Sequence, residues 1–202
     1  MSLSIIIVNW NGGSLILDCL NSIYKNKPQI PFEIIVVDNN SSDMSNKIIK
    51  KNFPQVKLSQ QTANVGFGKG NNIGVKQAKG ENILFLNPDT KVDASTLDFL
   101  VHYLQKNPDV GILGCKVLYP NGLLQRSAYK NFPGLINHIL EYNYLLRGLL
   151  LSRKPSFDRM TFPEKDFDKT LDAKHLMGSC LLVRKNEFKK IKGFDEKFFL
   201  YR

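Results

Sequence analysis

Two short runs, Ile5-Ile6-Ile7-Val8 and Ile34-Ile35-Val36-Val37, constrain this chain more than any other feature. Each is β-branched and apolar at four consecutive positions, so a strand built from it has no solvent face. Such a strand belongs inside a sheet covered on both sides; a half-exposed antiparallel strand would alternate apolar with polar. Both runs stop abruptly, the first at Asn9 and the Gly12-Gly13 pair, the second at Asp38. Ile83 to Leu86, halted by Asn87-Pro88-Asp89, is a third run of the same kind.

Helical spacing fills the gaps. Leu15, Leu17, Leu20, Ile23 and Tyr24 mark a helix over 14–24, and Ser42 or Asp43 can cap the one after the second strand. A short strand around 56–58 precedes a glycine-rich stretch, and a helix follows near 69–78. Another helix is predicted over 94–106, with Leu97, Leu100, Val101 and Leu104 on one face and Asp93 as its N-cap. The alternation predicts an α/β fold, with a mostly parallel central sheet and flanking helices.

After Val110 the pattern loosens. "VGILGCKVLY" and "AKHLMGSCLLVRK" are predicted strands on either side of a less regular stretch over 130–172. Within that stretch 135–151 is apolar and helical in spacing. Packing over the sheet is preferred for it, because core helices outnumber interfacial ones; membrane-surface contact is the alternative.

The 202 residues suit one globular domain, and the formal net charge of +10 calls for an anionic partner. The lysines are scattered and no basic stripe is interleaved with aromatics, which argues against nucleic acid. Cys19, Cys115 and Cys180 are widely spaced, and His102, His138 and His175 show no ligand spacing, so neither a disulfide framework nor a zinc site is expected. No apolar run approaches the roughly 18 residues of a membrane span. The start has no basic region followed by a cleavage site. A cytoplasmic setting fits these features.

Ligands of parallel sheets bind at the carboxyl ends of the strands, which is where Asn9, Asp38 and Asp89 fall. The first strand is followed by "NWNGGS" and not by GxGxxG, and no GxxxxGK[ST] occurs, so dinucleotide and P-loop readings fail. "NVGFGKGNNIG" (64–74) is either a turn-rich connection or a ligand loop leading to a helix N-terminus that favours an anion. Next to Asp38 and Asp89 the ligand reading is preferred. Asp89 is either a turn residue or one carboxylate for a hard divalent cation, whose shell a nucleotide diphosphate would complete. Asp166-Phe167-Asp168 also spells D-x-D, but no apolar strand precedes it, and a solvated loop is expected.

"SIIIVNWNG", "EIIVVDNNSSD", "NVGFGKGNNIG", "ILFLNPDT", "MGSCLLVRK" and "GFDEKFFLYR" together resemble family 2 glycosyltransferases of the GT-A fold, closest to the rhamnosyltransferase-like branch of bacterial surface-polysaccharide synthesis. The resemblance implies one GT-A domain over 1–202, with a nucleotide-sugar-binding half (1–109) and a smaller, mixed acceptor-side half (110–202). It also implies that Asn9, Trp10 and Asn11 cradle base and ribose, that Asp38 binds the base, and that Asn64, Gly66 and the run from Lys69 through Asn71 to Asn72 lie along the nucleotide. Asn87 and Asp89 take the D-x-D place, with Asp89 the ligand of Mg2+ or Mn2+; Gly178 and Ser179 line the sugar and acceptor pocket.

The family's acidic pair, which supplies the catalytic base, is expected just beyond Arg202, so the chain reads as truncated there. Asp195 and Glu196 match the preceding motif and are not assigned as the base. The expected activity is inverting, metal-dependent transfer of a sugar, with rhamnose the leading candidate. The donor is a dTDP- or UDP-linked sugar and the acceptor a glycan or lipid-linked glycan, with peripheral contact at the inner face of the membrane left open. A sugar-nucleotide-forming nucleotidyltransferase and a non-catalytic nucleotide-sugar-binding domain are the alternatives.

Overall fold

The computed structural model describes residues 2–93, 95–131 and 162–200. The two defining runs form β1 (Leu3–Asn9) and β2 (Phe32–Asp38), parallel, with Asn9 opposite Asp38. β3 (Lys57–Gln60) pairs in parallel with β2, and β4 (Asn82–Leu86) in parallel with β1. Ile5, Ile6, Ile7, Ile34, Ile35, Val36 and Val37 are all buried, so both faces of the sheet are covered. The sequence had required this of them.

The helices between these strands are α1 (Gly13–Lys25), α2 (Ser45–Asn52), α3 (Phe67–Gln77) and α4 (Thr96–Lys106). Leu97, Leu100, Val101 and Leu104 form the buried stripe of α4. Its N-cap is Ser95, in a left-handed conformation, with no side-chain cap. The predicted Asp93 cap is therefore corrected: Asp93 contributes only its backbone carbonyl, to Thr96 N. The third strand lies one to two residues later than its sequence pattern placed it, because pairing Ile35 with Lys57 and Asp38 with Gln60 fixes its register.

"VGILGCKVLY" is divided between two sheets. β5 (Ile112–Gly114) joins the central sheet, whereas β6 (Val117–Leu118) forms a small antiparallel pair with β7 (Leu124–Gln125). β8 (Ala128–Tyr129) pairs antiparallel with β9 (His175–Leu176). β10 (Cys180–Arg184) then returns to the central sheet, antiparallel to β4, and α5 (Lys185–Lys190) follows. The sheet order is β3-β2-β1-β4-β10-β5. Against one face, Val75 and Ala78 near α3 and Phe188 of α5 pack with Ile6, Ile35, Val37, Phe85 and Val183.

The chain divides into two compact units, Met1–Leu113 with Gly178–Arg202, and Gly114–Met177. In the second unit Phe167 is buried with Ala128 and Phe162. The D-x-D at 166–168 lies in a 3-10 turn (Glu164–Asp168), not in a wholly solvated loop, since its phenylalanine enters the core while Asp168 faces solvent and pairs with Lys116 at 2.7 Å. The apolar segment 135–151 lies outside the described residues. Among the described residues, no helix is long and apolar enough to cross a membrane.

Candidate active site

Because β2, β1 and β4 are adjacent and parallel, their carboxyl ends open on one edge. Asn9 and Asp38 end their strands there, both buried. The Asp38 carboxylate accepts four hydrogen bonds: from Asn9 Nδ2 (3.0 Å), the Ser41 hydroxyl (2.6 Å), Ser41 N (3.0 Å) and Asn46 Nδ2 (2.7 Å). Asn9 Nδ2 also approaches the hydroxyls of Ser41 and Ser45. Asp38 is thus the hub of this edge, holding the loops after β1 and β2 together. Among the described residues, the buried side-chain acceptors left without a partner are amide oxygens, Oδ1 of Asn9, Asn39 and Asn46. Asn39 is buried and donates through Nδ2 to Gly66 O at 3.1 Å. A buried acceptor without a donor is costly, so these oxygens fit a ligand or water that donates hydrogen bonds.

The loop after β1 is knitted to the loop after β2. Asn11, at φ 51, accepts Ser42 N at 2.8 Å through Oδ1, and its own N donates to the Ser41 hydroxyl. Asp43 takes Gly13 N at 2.8 Å and Ser45 N at 3.1 Å, and also accepts the Ser45 hydroxyl. These are the first residues of α1 and α2, so one carboxylate serves two helix N-termini, where negative charge is favoured. Burial acts to raise the Asp43 carboxyl, but the hydrogen bonds from Ser45 and Gly13 outweigh it and hold it below the usual range. Trp10 projects from the same loop, 59% exposed.

The glycine-rich stretch is shaped by packing. A Cβ on Gly74 would strike Ile6, and one on Gly70 would stand 3.0 Å from Val8, so α3 lies tight against β1. Gly66, at φ 85 and ψ 178, is in a region essentially reserved for glycine. The N-terminus of α3 is already served: Phe67 N donates to Phe199 O at 2.9 Å. The sequence pattern had offered that helix end to an anion; the backbone of Phe199 takes part of that role. Asn64 Oδ1 accepts Gly66 N, and Asn71 Nδ2 donates to Phe67 O. Lys69 is exposed.

β4 ends in a tight turn in which Thr90 N donates to Asn87 O at 3.2 Å. Asn87 N donates to Ser179 O at 3.0 Å, which binds the turn to the chain entering β10 and brings Gly178 and Ser179 to the same edge. Beneath the turn, the buried Cys19 thiol donates to Asn87 O. Burial pushes that thiol up to about 12, and the Asp89 charge adds to the effect. This removes Cys19 as a nucleophile at neutral pH. Asp89 is exposed, and its carboxylate has no hydrogen-bond or ion-pair partner among the described residues.

No group of three or more His, Cys, Asp or Glu able to cage a metal occurs among the described residues. A single free carboxylate at a strand end still fits Mg2+ or Mn2+ shared with phosphate oxygens, since a small hard cation takes one or two carboxylates and keeps water.

The family model described as Glycosyl transferase family 2 matches residues 4–192. The chain belongs to this family. The O-antigen biosynthesis protein RfbC of Myxococcus xanthus is 32% identical over 170 residues, 83% of this chain and 12% of that protein. An N-acetylglucosaminyl-diphospho-decaprenol L-rhamnosyltransferase of Mycobacterium tuberculosis is 28% identical over 182 residues, 85% of this chain and 58% of the relative. The poly(ribitol-phosphate) beta-N-acetylglucosaminyltransferase TarS of Staphylococcus aureus is 33% identical over 138 residues, 66% of this chain and 24% of TarS. The crystal structure of TarS 1-349 in complex with UDP-GlcNAc matches with a TM-score of 0.56 at 29% identity, covering 65% of this chain and 39% of that one. The chain thus spans less than two thirds of these relatives' length, and the fold it shares with the family is GT-A.

For a family 2 chain, the carboxyl edge gathers Asn9, Trp10, Asn11, Asp38, Asn87, Asp89, Gly178 and Ser179, and the start of α3 brings Gly66 beside Asn39. The motif reading missed Asn39, and it read Asn72 as part of the loop along the nucleotide without its long-range contacts. Asn39 was overshadowed by the acid before it, although successive residues of an extended chain face opposite ways and only one can join the Asp38 network. Asn72 accepts Phe194 N at 3.0 Å and donates to Phe194 O at 2.9 Å and Glu196 Oε1 at 3.1 Å, clamping the segment after α5 onto α3.

Proposed function

We propose that this chain transfers a sugar from a nucleoside-diphosphate donor, UDP- or dTDP-linked, to a phosphate-bearing glycan acceptor. The observation that carries the reading is Asp89: a carboxylate without a partner among the described residues, held by a tight turn at the edge where the strand-end amides present unpaired acceptors. A pyrimidine base donates hydrogen bonds and suits the Asn39 and Asn9 oxygens, with Trp10 and Asn11 beside it, Asn64 and Asn71 bracing the loop along the nucleotide, and Lys69 supplying positive charge. Asp38 then acts by fixing Asn9 and Asn46, not by meeting the base itself. Asn87 sets the turn, and Gly178 and Ser179 line the sugar side.

Asp89 would hold Mg2+ or Mn2+ together with the diphosphate. When bound, such an ion offsets the charge that develops on the departing diphosphate. The transfer is inverting, with the acceptor hydroxyl attacking the anomeric carbon as it loses its proton. Asp195 and Glu196 are not its base: Asp195 accepts Lys197 N at 3.0 Å and Glu196 is engaged by Asn72. The two relatives named by acceptor act on a diphospho-decaprenol-linked sugar and on poly(ribitol-phosphate). A lipid-linked or polymeric glycan, with rhamnose or N-acetylglucosamine as the sugar moved, is the corresponding proposal here, in polysaccharide synthesis at the cytoplasmic face of the membrane. The half holding 1–109 takes the donor and 110–202 the acceptor.

Calorimetry with UDP, dTDP, UDP-GlcNAc and dTDP-rhamnose, with and without Mn2+, tests the donor site. Metal-enhanced binding of a nucleoside diphosphate is expected. Absence of binding by all four under both conditions would remove the reading.

A further inference from the structure

We propose that one face of α1 holds the turn bearing Asp89 ready for a cation, and that Asp18 keeps Lys91 off the Asp89 carboxylate. Asp18, Ser22 and Asn26 recur at four-residue spacing, so they share one side of α1 and its C-cap. Each grips the chain that leaves β4. Asp18 Oδ2 pairs with Lys91 Nζ at 2.9 Å. The Ser22 hydroxyl donates to Cys19 O at 2.7 Å and accepts Val92 N at 3.0 Å. Asn26 Nδ2 donates to Val92 O at 2.7 Å, and Asn26 N is itself fixed by Ser22 O at 3.0 Å. Val92 is buried and lies outside every strand, so these side chains satisfy backbone groups that would otherwise be costly. The Cys19 thiol, next to Asp18 on the helix, donates to Asn87 O, so α1 grips the turn at both of its ends.

Lys91 stands just beyond Thr90, and the two-residue step from Asp89 spans at most about 7 Å of chain. A lysine stem is long and flexible enough to bridge such a gap. Asp18 takes this cation instead, and Asp89 keeps no partner among the described residues. The pair is exposed, with side chains 66% and 49% accessible, so it adds little to stability. Its effect falls on the charge that an incoming ion meets. A carboxylate already joined to an ammonium would have to release that partner first. Ser22 and Asn26 act on the same segment through its backbone and fix where the carboxylate stands. All three are positioning residues, acting through Asp89. The inference rests on the reading of Asp89 as the ligand of Mg2+ or Mn2+; the contacts that hold the turn do not.

The test is calorimetry of UDP with and without Mn2+ on the intact chain and its variants, read as the Mn2+-dependent increment in affinity. Asp89→Ala, the control, should abolish the increment. Asp18→Asn releases Lys91 and should cut it about fivefold, the scale of one exposed ion pair, with UDP alone binding unchanged. Lys91→Met should leave the increment at the parental value, and combining it with Asp18→Asn should restore that value. Two independent charges would instead make Lys91→Met gain as much as Asp18→Asn loses. That result overturns the proposal, as does a double variant as weak as Asp18→Asn, or an Asp18→Asn variant equal to the parent. Asn26→Ala should speed amide exchange at 90–92 and lower the increment, again with UDP alone unchanged. If it fails to fold, the exposed positions 18 and 91 decide the point. An increment absent from the parent, or surviving Asp89→Ala, removes the metal reading and this inference with it. An increment lost in Asp89→Ala but intact in Asp18→Asn removes this inference alone.

Discussion

A side chain on Gly66 would collide with the carbonyl oxygen of Phe199, the same oxygen that accepts the N–H of Phe67. The start of α3 and the segment after α5 are therefore built around each other. Gly66→Ala forces both a forbidden backbone region and a steric clash, and it should cost roughly 1–3 kcal/mol or more. Urea unfolding would read the loss, and amide exchange should show faster opening at 194–200. A variant as stable as the parent, with unchanged exchange, would mean that this contact does not order the segment.

Neighbouring strand-end residues should separate in their effects. Asp38→Ala strands four donors and should destabilise the chain by about 3 kcal/mol. Asn39→Ala forfeits one hydrogen bond to Gly66 O, about 1 kcal/mol, but should weaken UDP roughly tenfold if its oxygen meets the base. Thermal melts and calorimetry on both variants distinguish the roles. Equal effects on stability and affinity in each would erase the distinction.

Asp89→Ala should behave in the opposite way. With no protein partner among the described residues, the carboxylate can be removed at a cost within about 0.5 kcal/mol. The Mn2+-dependent increment of UDP binding should vanish while the metal-independent part persists. Retention of that increment would return Asp89 to a turn residue.

Acid should loosen the opposite edge of the sheet through Glu33. Its side chain is 10% exposed and pairs with Lys57 Nζ at 2.8 Å, while Lys79 N and the Ser4 hydroxyl donate to its other oxygen. Burial works to raise the Glu33 carboxyl, but these hydrogen bonds and the Lys57 charge outweigh it and hold it low. A group lowered on folding stabilises above its unfolded pKa and loses that contribution as pH falls through the folded value. Stability should therefore drop as pH passes below about 4.3. Glu33→Gln should be less stable at pH 7 and show a shallower acid slope. An unchanged slope would locate the acid sensitivity elsewhere, with Asp43 the next group to test.

The parallel core was legible because β1, β2 and β4 each carry four consecutive apolar residues, a pattern that leaves few options. Caps and long-range partners were not. Asp93 had the composition of an N-cap, yet the backbone at Ser95 turns left-handed and leaves the carboxylate outside. The N-terminus of α3 looked open to an anion because its carbonyl partner belongs to a segment far along the chain. The Asn72 clamp on Phe194 spans 122 residues in the same way. The division of "VGILGCKVLY" between two sheets depended on which strands were free to pair, and periodicity does not encode that. Asp38 and Asp89 were picked out together as strand-end carboxylates, but among the described residues one is enclosed by four donors and the other has none, a contrast that the surrounding loops create.

β5 and β10 are neighbours in the central sheet, and the entire second unit is spliced between them. The chain leaves the sheet and comes back to it at adjoining strands, so the length and shape of what intervenes impose nothing on the strand order. Inserts are tolerated best at such closely spaced ends. The central sheet can thus stay fixed while the excursion from 114 to 177 is exchanged like a tool head.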